Sequence, residues 1–495
     1  MVGVGGFAVT PFPRRPCVQG FFLVPGLRMS QALPSTSSTW LRWLTPLFAR
    51  IQAARQSRLG MAALFSVVLT ALCKLIGFAR EQTVAATFGV NVDLDTFYVA
   101  LLLPTLCVSV ILKNLSVSLV LAVSRENTQH GVQASLKFYR EALFWAWGLS
   151  LGMALAVAVG GPVLLRVIYP SLSPEVMQRS ARLLWLLIPY STMTGMADFW
   201  AHYLNSQGRY IATSLSAGVI SIAIMLGLWL LPGLNPIDSM ILGFTAGAAL
   251  DLSNLALSLR AARLPVLPSP TRWTAAQTSM ISACLPLVIG STLHFGTEVV
   301  DQSMASMLGE GSISELKYGN RIIAMVFGVL TIPLSQVVFP KLVQLVEARH
   351  WSELQRVTRQ MAIWLLAISL PITGTLILFS QPIVAWSFER GKFTPESTMQ
   401  VAAVQVMYAF QLPFYLVSLL LVRLAVALRL NRLMLLGGGL NLVVNAGMNW
   451  VLMKPLGVTG IALATAVVYL ASVVFLTWSI RQDLRIRLTT SEPVT

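Results

Sequence analysis

Charge is scarce in this chain. Of its 495 residues only 11% are Asp, Glu, Lys or Arg, while 56% are hydrophobic and the mean hydropathy is +0.72. A soluble core of this size cannot bury so much apolar surface, so an ordinary soluble domain is excluded and the bilayer becomes the solvent. Cysteine is sparse as well. Cys17, Cys73, Cys107 and Cys284 are scattered, with no CxxC and no Cys/His spacing, which leaves no zinc site and no disulfide framework. No GxxxxGK[ST] run is present, so ATP is not bound in the P-loop manner. The GVGG run at Gly3 to Gly6 follows no strand and opens no helix. No Ser/His/Asp, His-rich or paired-carboxylate group projects from a substantial soluble stretch, which argues against an enzyme.

What the chain does have is long apolar runs. A helix needs roughly 20 mostly apolar residues to cross about 30 Å of hydrocarbon, and such runs recur from Leu59 almost to the end. Twelve spans are predicted, near 59–88, 93–122, 139–168, 181–205, 211–231, 238–259, 280–308, 313–345, 360–388, 398–428, 433–453 and 457–480. The net charge of +16 would suggest nucleic acid in a soluble protein, but here Lys and Arg gather in alternate loops. One set holds Arg125, Lys137 and Arg140, then Arg209, then Arg260, Arg263 and Arg272. It continues with Lys341, Arg349, Arg356 and Arg359, then Arg429 and Arg432, then Arg481, Arg485 and Arg487. Basic loops are cytoplasmic, so both termini are placed inside a bacterial inner membrane, with Arg179, Arg182, Arg390 and Lys392 as mild dissent. No nucleic-acid partner is expected. Residues 1–56 are rich in Pro, Ser and Arg without a long apolar run, and read as a basic, disordered cytoplasmic leader. Met29 and Met61 are alternative starts.

The chain also repeats itself. Sliding it by 220 positions sets Phe88-Gly89 on Leu308-Gly309, Glu81 on Asp301, Asp95 on Glu315, Tyr98 on Tyr318 and Pro162 on Pro382. Slightly larger offsets pair Pro189-Tyr190 with Pro413-Phe414 and Arg209 with Arg432. Six helices separate equivalent positions, so both halves enter the membrane in the same direction. The expected fold is an all-α polytopic membrane protein, two parallel-repeat six-helix bundles around a central cavity. The bundles are assigned to 57–265 and 266–488, with a cytoplasmic tail at 489–495. Rocking such bundles exposes a cleft alternately to either side, which favours transport over a merely duplicated scaffold.

Ionisable residues inside hydrocarbon cost a few kcal/mol each and face protein or a wet cavity. The first span carries Lys74, Arg80 and Glu81, the second Asp95 and Lys113, the fourth Asp198 and His202. In the seventh, His294, Glu298 and Asp301 share one helix face, and the eighth adds Glu315, Lys317 and Arg321. They concentrate on the first two helices of each half, where a central cleft would lie. Basic groups there suit an anionic substrate such as a diphosphate. The alternative for each is snorkelling or pairing with a neighbouring acid. Further along, Asn445 and Asn449 lie one turn apart and Thr465 follows on the next helix. With Asp301 they could coordinate a hard monovalent cation, or simply bond helices together.

The run Lys74-Leu-Ile-Gly-Phe-Ala-Arg-Glu81, with Phe88-Gly89, Asp95-Thr-Phe-Tyr-Val-Ala100 and Pro104, resembles the opening of the MurJ/MviN family, the lipid II flippases of peptidoglycan synthesis. Tyr318-Gly-Asn-Arg321, Phe388-Glu-Arg-Gly-Lys-Phe393 and Gly457-Val-Thr-Gly-Ile-Ala-Leu-Ala-Thr465 extend the likeness over nearly everything after residue 57. The resemblance implies a flippase driven by Na+ or H+, moving an undecaprenyl-diphosphate-linked sugar from the inner to the outer leaflet, with a monomer as the expected state. It implies that Lys74, Arg80, Asp95 and Arg321 line the substrate cavity. Glu81, Glu298 and Asp301 are read as balancing charge or carrying coupling cations. Asp301, Asn445 and Thr465 match a sodium site of some members, and Asn449 stands where Asp is usual. Two departures point to a diverged member. The family's basic pair would fall at Val108 and Ser109, and the chain has twelve spans without the family's additional two. The rival readings are a multidrug and cation antiporter of the same superfamily, and a transport-inactive scaffold for envelope assembly.

Overall fold

The computed structural model describes residues 58–491. The leader expected over 1–56 and the last residues of the expected tail lie outside the described residues. Within them, every regular element is helical. The first half holds α1 (Arg58–Phe88), α2 (Val92–His130), α3 (Val132–Ile168), α4 (Pro174–Leu186), α5 (Ile188–Ser206), α6 (Ile211–Leu230) and α7 (Pro236–Ala261). The second opens with α8 (Ala275–Ala305), α9 (Ser312–Pro333), α10 (Phe339–Glu347), α11 (Trp351–Leu378) and α12 (Ser380–Phe388). It closes with α13 (Pro395–Ala409), α14 (Gln411–Ala427), α15 (Asn431–Leu456) and α16 (Val458–Ser491).

Local sequence explains where helices start and break. Asn91 caps α2 by accepting from the Leu94 amide, and Ser173-Pro174, Asn235-Pro236 and Thr394-Pro395 each set a side-chain cap before a proline in the first turn. That proline lacks only an N–H the helix would not have used. Three expected single spans are instead broken, at Leu187, Phe379 and Phe410. Each break lies two or three residues before Pro189, Pro382 or Pro413, where proline withholds a donor from the preceding turn. Hydropathy also ended the second span too early. The helix runs on to His130, whose ring meets Glu126 one turn back, and stops at Gly131.

Among the described residues nine helical stretches are long and apolar enough to cross a membrane, α13 and α14 being taken together as one. Neither α1, with Lys74, Arg80 and Glu81, nor α9, with Glu315, Lys317 and Arg321, is among them. Large apolar side chains on the outer faces stay exposed, as at Val167, Leu230, Leu378 and Trp386. With lipid outside, close packing rather than water-driven burial joins the helices. At Gly243, for instance, a Cβ would stand 2.7 Å from the Ile224 Cα, so α6 and α7 touch backbone to backbone.

Two apolar cores result. One, around Phe97, Tyr318, Phe388 and Phe393, draws on both halves. The other, around Leu112, Leu119, Tyr139 and Trp200, belongs to the first half but also takes Met280 and Cys284 of α8. Further along α8, Phe295, Val299 and Ala305 join the first-named core. This helix therefore crosses from one half to the other, and the chain boundary at residue 265 does not coincide with a packing boundary.

Candidate functional site

At one end of the bundle the two halves are locked together through backbone. Lys392 N donates to Ala86 O at 2.8 Å. A Cβ on Gly391 would lie 2.3 Å from Ala86 O, and one on Gly89 would lie 2.4 Å from Lys392 O. Both glycines have φ near +60°, at +59° and +66°, so glycine is required for conformation and for space. Beside this interlock, Asp95 Oδ2 accepts from Gly311 N at 2.8 Å and Oδ1 from Ser314 N at 2.7 Å. A side chain of α2 thus caps the N-terminus of α9, where free amides and the helix dipole favour a carboxylate. Asp95, expected in the cavity wall, is instead buried in a clamp between halves.

Just below the clamp lies a cavity of about 240 Å³. Its charged lining comes from both halves: Arg80 and Glu81 of α1, Glu298 of α8, Lys317 and Arg321 of α9. Glu81, 5% exposed, accepts on one oxygen from both Arg80 and Arg321. Lys317 pairs with Glu298, which also accepts from Gln302 at 3.2 Å. Lys317 further lies 5.8 Å from the Tyr98 ring centroid. Three bases face two acids here, and the only route to burying such charges is mutual pairing. Lys74 is not part of this wall. It reaches across to α9, with Nζ 2.9 Å from where Gly328 would carry a Cβ.

The second cluster lies within the second half. Asn445 and Asn449 of α15 both donate to Asp301 Oδ1, at 2.8 and 2.7 Å. Their own carbonyl oxygens are buried without a hydrogen-bond partner among the described residues. Thr465 Oγ1 bonds its own helix at Ile461 O, 3.4 Å away. Asp301, Asn445 and Thr465 line a second cavity, of about 350 Å³, together with His294 and Tyr469. Val108 and Ser109 occupy a π-helical stretch, Cys107–Leu112, inside α2. The wider turn follows Pro104, which removes a helix donor.

The family model for the lipid II flippase MurJ matches residues 84–492. The chain belongs to the MurJ family. A probable lipid II flippase MurJ of Synechocystis sp. is 25% identical over 433 residues, 84% of this chain and 80% of that protein. Another, from Rhizobium meliloti, is 24% identical over 407 residues, covering 80% and 75%. In three dimensions the chain is similar to a lipid II flippase MurJ in an inward closed conformation, with a TM-score of 0.74 at 19% identity, over 86% of this chain and 90% of the other. It is also similar to an inward-facing multidrug resistance MATE transporter of the MOP superfamily, with a TM-score of 0.73 at 12% identity, over 87% and 100%. This MurJ-family chain is therefore an all-α, multi-pass membrane protein of a transporter family.

Sequence reasoning missed two residues of these sites and one buried carboxylate outside both cavity linings. Gln302 bridges Glu298 and Tyr169, whose hydroxyl donates to its Oε1 at 3.2 Å. Tyr98 lines the charged cavity. Asp251 of α7 is 3% exposed, and its Oδ1 has no hydrogen-bond partner among the described residues. The signal for Asp251 was present as a lone carboxylate in the middle of an apolar span.

Proposed function

We propose that this MurJ-family chain moves a lipid-linked, diphosphate-bearing glycan, lipid II or a related envelope precursor, across the bacterial inner membrane by alternating access. The observation that carries the reading is Glu81, buried and shared by Arg80 of one half and Arg321 of the other. Guanidinium groups grip phosphate oxygens in a fork geometry that a single carboxylate oxygen does not satisfy. An incoming diphosphate competes with Glu81 for both arginines, and Lys317 adds a third positive group. When the halves part, Arg80 and Arg321 move away from each other, and Glu81 is left to reclaim a guanidinium as the substrate leaves. The lipid tail stays in the bilayer. The basic loops at the end opposite the interlock support a reading in which that end, and both termini, face the cytoplasm. The chain acts as a carrier rather than a catalyst, and as a monomer.

The Asp301 cluster fits a monovalent coupling cation. Two orphaned carboxamide oxygens, one carboxylate and one hydroxyl are hard oxygen donors on α8, α15 and α16. A bound cation supplies the positive charge that this cluster lacks, while Asp301 holds the two amides and Thr465 closes the side toward α16. A proton on Asp301 is the other form such coupling takes. Sodium-dependent against sodium-independent activity separates the two.

Complementation of a strain depleted of its lipid II flippase tests the substrate. Rescue by the wild type, lost in Arg80→Gln and Arg321→Gln at equal membrane abundance, is the expected result. A well-expressed wild type that rescues neither this strain nor one lacking a polysaccharide flippase overturns the proposal.

A further inference from the structure

Among the described residues, the non-glycine residues with positive φ are all arginines: Arg263 at +55°, Arg349 at +56° and Arg429 at +61°. Each follows the end of a helix in the same turn. Arg349 N bonds Val346 O and His350 N bonds Leu345 O, and Arg429 N bonds Val426 O while Leu430 N bonds Ala425 O. Arg263 and Leu264 repeat the pattern. This is the Schellman turn, whose left-handed position is normally glycine. The turn between α5 and α6 has the same bonds, and there the residue is Gly208. Basic residues in cytoplasmic loops are ordinary. Arginine at the one backbone position that favours glycine is not, because a Cβ is strained there.

Arg349 and Arg429 come from different turns, yet both line one open pocket of about 530 Å³ at the end opposite the interlocked loops. Neither guanidinium forms an ion pair or side-chain hydrogen bond among the described residues, and both are exposed. Arg487 forms the third basic wall, already held by Asp483 and by Trp351, whose ring lies 5.5 Å from it. Glu347 is the single acid in the lining. The remaining wall is apolar, with Phe339, Val343 and Val426, and Leu436 and Ile486 nearby in sequence are exposed apolar residues. Basic groups above an apolar wall, at the end of a membrane bundle, match a phosphate joined to acyl chains.

We infer that this pocket binds the phosphate of an anionic phospholipid, with Arg349 and Arg429 as its ligands and the acyl chains along the apolar wall. The site is separate from the central cavity and does not depend on which substrate the protein carries. The strain provides an unusually clean test, since Arg349→Gly and Arg429→Gly relax the backbone while removing the ligands. The purified full-length protein in detergent is titrated with dioleoylphosphatidylglycerol, with dioleoylphosphatidylcholine and with inorganic phosphate, and thermal unfolding is followed. Wild type is stabilised by phosphatidylglycerol and by neither of the others. The double variant without lipid unfolds no earlier than wild type, yet needs more phosphatidylglycerol for the same shift, roughly fivefold for each arginine removed and about 25-fold for both. Arg263→Gly, which relaxes the same turn away from the pocket, responds like wild type. A double variant that responds like wild type overturns the site, as does an Arg263→Gly variant that loses as much. Equal stabilisation by inorganic phosphate overturns the lipid as its source.

Discussion

Around Glu81, three bases and two acids from three helices pair with one another and leave one positive charge in excess, whereas Asp301 is bonded by two carboxamides whose own oxygens have no hydrogen-bond partner among the described residues. In the first cluster both arginines share one carboxylate, so a ligand that takes them must be an anion that competes with Glu81. The second leaves two buried acceptors unanswered among the described residues, and these are the atoms the proposed cation would meet. Their positions differ in the same sense. The charged cluster bridges the halves, while the amide cluster lies inside one half.

Breaking the charged cluster should have the largest effect. Glu81→Gln leaves Arg80 and Arg321 facing each other without compensation, at a cost of about 3 kcal/mol, the low end for a broken buried pair because Arg321 is partly exposed. Thermal unfolding reads this, and Glu81→Gln combined with Arg321→Gln should recover most of the stability without recovering transport. Recovery of transport as well would reduce the pair to scaffolding. Next comes Gly391→Ala, which meets Ala86 O and a left-handed backbone at once. A loss of about 1–2 kcal/mol is expected from the conformation alone, together with faster thiol labelling of a cysteine placed at Thr87. Unchanged labelling would mean that the interlock seals nothing.

The amide cluster sharpens the contrast with smaller effects. Asp301→Asn keeps an acceptor for both amides, so stability should stay within about 1 kcal/mol, while any sodium-dependent thermal shift disappears. Persistence of that shift would move the cation elsewhere. Asn449→Asp adds a second carboxylate and should tighten sodium binding by about tenfold, read as a lower sodium concentration at half-maximal shift. No gain would indicate that Asn449 faces away from the ion.

The outline of these clusters was legible in the sequence, because a charge inside an apolar span is conspicuous and the spacing of Glu298 and Asp301 sets them on one helix. The partners were not. Nothing local to Glu81 indicates that its second guanidinium comes from Arg321, 240 positions away. Asp95 illustrates the same limit. Its type and position suggested a cavity acid, but its role follows from the free amides of α9, which only the assembled fold brings to it. The prolines served only to align the repeat, and that Pro189, Pro382 and Pro413 follow breaks in their spans came from the structure. The π-helical stretch at Cys107–Leu112 follows Pro104, but a proline alone does not tell a wider turn from a bend.

The path of α8 bears on how such a protein is inherited. Its first turns fill the core of the half that precedes it, through Met280 and Cys284, while its later turns enter the core that both halves share. A gene cut between residues 262 and 274 would therefore yield one fragment with an uncovered apolar face and another with a loose helix end. The residues before and after this cut are thus mutually dependent, and an exchange of either part for that of a relative should carry α8 along with the helices it packs on.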